Sequence, residues 1–169
     1  MFGKKKSIIN STFGEIEYFS TNWRSISKIP LSLFGESYLI TVLAVAKSDK
    51  DVINQLQENA FKRFNEIVVN RKCEIEEVII RHFQTVDKIE DFTSRHKKQY
   101  NLDDTGTRFI PTNIVFSKSG ECGLYVEDDA EEYGEYDDWD EGFVLSIIPE
   151  IKIHSKEQYS GYIYGGGSL

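Results

Sequence analysis

The run Tyr38-Leu39-Ile40-Thr41-Val42-Leu43-Ala44-Val45-Ala46 is the most apolar stretch of the chain, and it restricts the fold more than any other. It is rich in β-branched residues and has no helical period, so it predicts a strand covered on both faces. Such a strand needs a partner strand on each side and a layer of packing above and below. The rest of the chain must supply them.

The segments before it supply strands. Residues 12–19 alternate apolar and polar through Ile16 and Tyr18, the period of a half-buried strand. Thr21-Asn22 reads as a turn, and a second strand over Trp23–Ile29 is expected to end at Pro30. Leu31-Ser32-Leu33-Phe34 is a short piece leading into a turn at Gly35-Glu36.

Helical signals follow. Ser48 is placed to cap a helix, with Asp49 and Asp51 in its first turn. Ile53, Leu56, Ala60, Phe64, Ile67 and Val68 fall on one stripe, with Gln57, Glu58, Lys62, Arg63 and Glu66 on the polar face. Asn70-Arg71-Lys72 marks a break, and Ile75, Val78, Ile79 and Phe83 form a second stripe. Two helices are expected, near 49–69 and 73–86; one long bent helix is the alternative. Residues 87–107 have no clear period and read as a loop, with one helical turn near Ile89–Phe92.

Strand signals return at Phe109–Phe116, where Pro111 marks the start or an edge position. A hairpin turn at Lys118-Ser119-Gly120-Glu121 leads into Cys122–Val126, in which Gly123 marks a bulge or a close neighbour. Gly142–Ile148 is a further strand closed by Pro149, and Ile151–His154 a short last one. The order strands-helix-helix-strands predicts an α+β fold, a mostly antiparallel sheet packed against a pair of helices. With 169 residues and 40% hydrophobic content the chain suits one domain. That domain is read as residues 1–164, with 165–169 as a flexible tail.

Between the strands near Val126 and Gly142 lies a stretch of a different character. Of the 15 residues from Glu127 to Glu141, ten are acidic (Glu127, Asp128, Asp129, Glu131, Glu132, Glu135, Asp137, Asp138, Asp140 and Glu141) and none is basic. The chain holds 28 acids and 20 Lys plus Arg, so outside this stretch 18 acids face 20 bases. The net charge of −8 is therefore local. A dense charge of one sign steers an opposite partner. Tyr133, Tyr136 and Trp139 lie within it, residue types enriched where interfaces hold most strongly. These thirteen residues are the candidate partner-binding set, for a cationic protein surface. The plain alternatives are a solvated acidic loop, and for Trp139 packing onto the sheet edge. Asp138-x-Asp140-x-Gly142 is a fragment of a calcium loop, although the Gly is one place early and no closing Glu follows; the alternative function is a calcium-responsive or housekeeping protein-interaction module without a toxin partner.

Other chemistry finds little footing. Cys73 and Cys122 are 49 positions apart, without a Cys-x-x-Cys unit, and are expected to be buried thiols. His82, His96 and His154 lack ligand spacing, so no metal or other cofactor is expected. Arg95-His96-Lys97-Lys98 reads as a solvent-facing patch or a partner for acids elsewhere. No pair of carboxylates stands out for acid–base work, and no phosphate-binding or nucleophile-elbow motif is present, so an enzyme is not expected. The acidic balance argues against nucleic acid and anionic membrane as partners. Lys4-Lys5-Lys6 is not followed by the apolar run of a signal peptide, Phe2 stands where N-myristoylation needs Gly, and no window approaches a membrane span. The expected location is cytoplasmic.

Three short motifs carry a resemblance: Gly123-Leu124-Tyr125, then Asp138-Trp139-Asp140-Glu141-Gly142, then Phe143-Val144-Leu145. Together with the spacing of the helical part from Gln57 to Phe83, they resemble small bacterial domains of unknown function, over about half of the chain. The resemblance implies an immunity protein of a polymorphic toxin system, one that binds and neutralises a toxin, for example a nuclease with a basic substrate cleft. The implied partner is a cognate toxin domain with a basic surface.

Overall fold

The computed structural model describes residues 6–86, 109–127 and 142–165, with the backbone alone for 83–86. The elements in order are β1 (Ser7–Asn10), β2 (Gly14–Phe19), β3 (Asn22–Ser25), β4 (Ile29–Leu33), β5 (Glu36–Val45), α1 (Gln55–Asn70), α2 (Lys72–Val86), β6 (Ile110–Phe116), β7 (Cys122–Glu127), β8 (Phe143–Ile148), β9 (Lys152–Ser155) and α3 (Lys156–Gly165). The nine strands form one sheet in the order β1-β2-β3-β5-β6-β7-β8-β9, with β4 also paired to β5. The fold is α+β. Every strand pairing is antiparallel except β5 with β6, which α1 and α2 precede in the crossover.

The apolar run is the heart of β5, as its sequence predicts. Along one edge it pairs first with β4 (Leu33↔Glu36 to Ile29↔Ile40) and then with β3 (Arg24↔Leu43 to Asn22↔Val45). These two strands are one interrupted strand, so Pro30 does not end it but lies inside β4. The outer side of β4 pairs with no strand among the described residues, and a missing N–H is tolerated there. The β4–β5 hairpin turns through Phe34 (φ 53) and Gly35 (φ 78), two left-handed residues whose twist suits a two-residue loop. β1 escaped the sequence reading because its four residues are too few to show a period.

Helices lie on both faces of the sheet but not over its whole width: the first half of β5 is open on one face, where Leu39 is 62% exposed, against the expected cover on both faces. On one face Val42, Ala44, Ile114, Phe116, Leu124 and Leu145 pack with Ala60, Phe64 and Ile67 of α1 and Ile75 and Ile79 of α2. Phe116 sits at the centre, with the rings of Phe13, Phe61 and Phe64 at 5.7, 5.6 and 6.0 Å. On the other face Val45, Val115 and Val144 meet Tyr159 and Ile163 of α3. The sequence reading lacked α3. Its last residue is Gly165, read from sequence as the start of a tail.

Helix α1 starts later than Ser48. Residues 48–51 make a turn, in which the Asp51 N–H donates to the Ser48 carbonyl (3.1 Å). The cap is Asn54, whose side chain accepts from the Gln57 N–H (2.9 Å) while the Gln57 side chain accepts from the Asn54 N–H (3.1 Å). Gln57 is buried, not on the polar face: its amide donates to the carbonyls of Val45 (3.0 Å) and Phe116 (3.2 Å), at the ends of β5 and β6. Leu56 is exposed instead. A side chain that satisfies two strand-end carbonyls outranks an apolar one at that position, since buried carbonyls left unpaired are costly.

Candidate partner-binding surface

β7 and β8 are neighbours, and they frame the acidic stretch. Their pairing runs from Cys122↔Ile148 to Val126↔Phe143, so Glu127 and Gly142 flank the last pair. The stretch therefore leaves and re-enters the sheet at one end, between two adjacent strands, as its sequence predicts. Glu127 closes β7, is exposed and pairs with Ile110 of β6. Gly142 adopts φ 64, a left-handed conformation that favours glycine at the re-entry. Phe143 is buried, its ring 4.7 Å from that of His82 on α2. The other twelve candidates (Asp128, Asp129, Glu131, Glu132, Tyr133, Glu135, Tyr136, Asp137, Asp138, Trp139, Asp140 and Glu141) lie outside the described residues. So do the calcium-loop fragment before Gly142, the basic patch at 95–98 and the helical turn near Ile89.

The opposite end of the same strands is tied down by the β6–β7 turn, a junction the sequence reading passed over. Lys118 donates to the Asp51 carboxylate (2.7 Å) and to the Val52 carbonyl (2.8 Å), and its own carbonyl accepts from Asn54 (2.9 Å). The Lys118 ammonium holds the Asp51 carboxyl below its ordinary value. On the other face the Glu121 carboxylate accepts from the hydroxyls of Tyr162 on α3 and Ser119. One turn thus fastens the approach to α1 and the body of α3.

Gly123 joins the same region to α3. A Cβ there would lie 2.5 Å from the Tyr159 ring, and the β7–β8 register also shifts between Cys122 and Gly123. Both sequence readings of this glycine, bulge and close neighbour, hold at once. Cys122 is a buried free thiol whose pKa burial pushes up. Cys73 is free but exposed, contrary to expectation, because it falls off the apolar stripe of α2.

One pair looks catalytic at first sight. Ser146 Oγ lies 3.1 Å from His154 Nε2, but also 2.8 and 3.0 Å from the carbonyls of Glu150 and Lys152. The hydroxyl has one proton to give to a carbonyl; its oxygen then accepts from the ring N–H. With Ser146 buried and its oxygen so engaged, it cannot attack a substrate. The pair braces the β8–β9 turn. Burial first, and Lys152 next, lower the His154 pKa from its ordinary 6.5, against an opposing effect of Glu150. The ring also lies 5.5 Å from that of Tyr159. Unfolding then takes up a proton between the folded value and 6.5, so stability is full above about pH 6.5 and falls as pH drops below it. Urea unfolding from about pH 7.5 to 5 is expected to show this slope, and His154→Gln to flatten it.

Among the described residues no group of three or more His, Cys, Asp or Glu is placed to hold a metal ion. No described helix is long and apolar enough to cross a membrane. In comparisons with protein-family models, curated proteins and solved structures, no match to this chain was found.

Proposed function

We propose that this chain is a protein-binding module whose segment 127–141 docks on a cationic protein surface, and that the partner is a bacterial toxin domain that it neutralises as a cytoplasmic immunity protein. The observation that carries the reading is the confinement of ten carboxylates and three large aromatic residues to fifteen positions, in a chain otherwise close to neutral. Support comes from the frame: the two flanking residues are anchored beside a paired position of adjacent strands, Val126 and Phe143, which holds the two ends of the segment at a fixed spacing. A run of carboxylates can occupy a basic substrate cleft as a phosphate backbone would. Charge complementarity speeds the encounter, and buried Tyr and Trp side chains slow dissociation. On this reading the chain performs no catalysis and needs no cofactor.

The partner is sought in the reading frame directly upstream. Replacement of Asp137, Asp138 and Asp140 by Lys is expected to weaken binding of that toxin domain by about a hundredfold or more, since each reversed contact in a docked acidic surface costs on the order of 1 kcal/mol or more. Titration calorimetry reads the affinity and circular dichroism the fold. Unchanged affinity with the fold intact overturns this contact surface.

A further inference from the structure

Helix α3 is held to the sheet by few contacts, and one of its buried groups opposes them. Its buried residues are Tyr159 and Ile163, seated on Val45, Val115 and Val144. Among the described residues these five buried side chains form a cluster of their own, against 24 in the cluster that α1 and α2 cover. The polar ties from α3 to the strands and turn below it run through side chains: Ser160 to the Tyr125 hydroxyl (3.0 Å), Tyr162 to Glu121, and Tyr164 to Asn22 (3.3 Å). Tyr164 is 41% exposed, so water competes for the last of them. Within the helix, Gly161 lowers the intrinsic preference for helix and adds no packing, since a Cβ there would meet nothing within 4 Å. No residue intervenes between β9 and α3: Ser155 ends the strand, and its hydroxyl accepts from the Gln158 N–H of the helix.

The opposing group is the Tyr159 hydroxyl. Tyr159 is fully buried (0% exposed), and its hydroxyl has no hydrogen-bond partner among the described residues. Its ring lies against Gly123, where an added Cβ would be 2.5 Å from the ring and 2.7 Å from the hydroxyl oxygen. Burial pushes the phenol pKa up, so the group keeps its proton and has no acceptor for it. Closing α3 therefore takes a hydroxyl out of water without replacing the hydrogen bonds it made there, and lifting α3 restores them. A ring without the hydroxyl would fill the seat free of that penalty. Apolar contact and orphaned hydroxyl thus act against each other within one side chain, which narrows the gap between the closed state and an open one. Local opening is drawn from elements held by few buried contacts. We propose that α3 is a lid that opens as a unit about Ser155 and uncovers Val45, Val115, Val144 and Gly123, while the sheet, α1 and α2 stay folded. The cluster on the opposite face shares no buried side chain with the one that opens.

The test is native-state hydrogen exchange of the full chain, read amide by amide by NMR at low urea concentrations. The amides of residues 160–164 are expected to exchange together, about a hundredfold or more faster than those of Ile114 in β6 and Leu124 in β7. Their rates are expected to depend little on urea, because lifting one helix exposes little surface. Tyr159→Phe keeps the ring and removes only the hydroxyl, and is expected to slow exchange in α3 by about fivefold or more. Circular dichroism checks that the variant is folded. Residues 160–164 exchanging as slowly as Ile114 and Leu124, with the same dependence on urea, would overturn the proposal. So would a Tyr159→Phe protein whose α3 exchanges at the wild-type rate or faster.

Discussion

Gly123→Ala is expected to lower the free energy of unfolding by on the order of 3 kcal/mol. The added methyl group would meet the Tyr159 ring at 2.5 Å and its hydroxyl oxygen at 2.7 Å. Neither side can yield cheaply. Gly123 is held between Val115 on β6 and Ser146 on β8, and Tyr159 is buried among Val45, Val115 and Val144 beneath α3. The helix must lift or the central strands must bend. Gly161 gives a matched control within α3, where an added Cβ meets nothing within 4 Å. There the same substitution is expected to stabilise by about 0.5–1 kcal/mol, because alanine favours the helix. Urea denaturation of both variants reads the difference in sign. Combining Gly123→Ala with Tyr159→Leu, which makes room for the methyl group, is expected to cost less than the sum of the two single changes. A Gly123→Ala protein within about 0.5 kcal/mol of the wild type would show that α3 is not packed on β7 as described.

Trp23→Ala is the second large effect, with an expected loss of about 3–5 kcal/mol. Trp23 is one of the largest fully buried side chains and meets the Tyr18 ring edge-on at 5.6 Å. Its indole N–H also donates to the Asp51 carbonyl at 2.7 Å, which fastens the turn before α1 to the sheet. Trp23→Phe separates the two contributions. It keeps much of the apolar packing but leaves that carbonyl without its donor, for an expected cost of about 1–3 kcal/mol. Chemical denaturation measures both. Equal losses for the two variants would mean that the hydrogen bond, and not the packing, dominates.

The parts of this fold that were legible in the sequence are those with a strong local signal. β5 could be read from its apolar run, the two helices from their stripes, and β6, β7 and β8 from apolar segments bounded by the turn at Gly120 and by Pro149. Signals that compete locally were harder to rank. Ser48 and Asn54 both suit a helix cap, and the choice fell to Asn54 because Gln57 three residues later closes the capping box and reaches two strand-end carbonyls. Nothing in the sequence alone says that a glutamine will be buried. α3 did carry a signal: Ser155 with Gln158 three residues on, then Tyr159, Tyr162 and Ile163 at helical spacing. The Ser155 hydroxyl accepts from the Gln158 N–H (3.2 Å), as that pattern implies. Gly161 and the run of glycines from Gly165 hid it, since glycine weakens a helix and marks loops. For the candidate surface, the charge and the aromatic anchors of 127–141 were legible as composition. That its two flanks sit on neighbouring strands followed from reading Cys122–Val126 and Gly142–Ile148 as consecutive strands of one antiparallel sheet. The Glu121 contacts to α3 had no sequence signal, because they join residues about forty positions apart.

The central claim is electrostatic, and the association rate tests it most directly. The rate constant for binding of the proposed toxin partner is to be measured by stopped flow at about 50 and 300 mM salt, for the wild type and for a variant with Asp137, Asp138 and Asp140 changed to Asn. The wild-type rate is predicted to fall about tenfold or more across that range, and the variant to associate more slowly at low salt with a much shallower dependence. A wild-type rate indifferent to salt, or a variant that matches it at every concentration, would contradict the claim that segment 127–141 draws in a cationic partner.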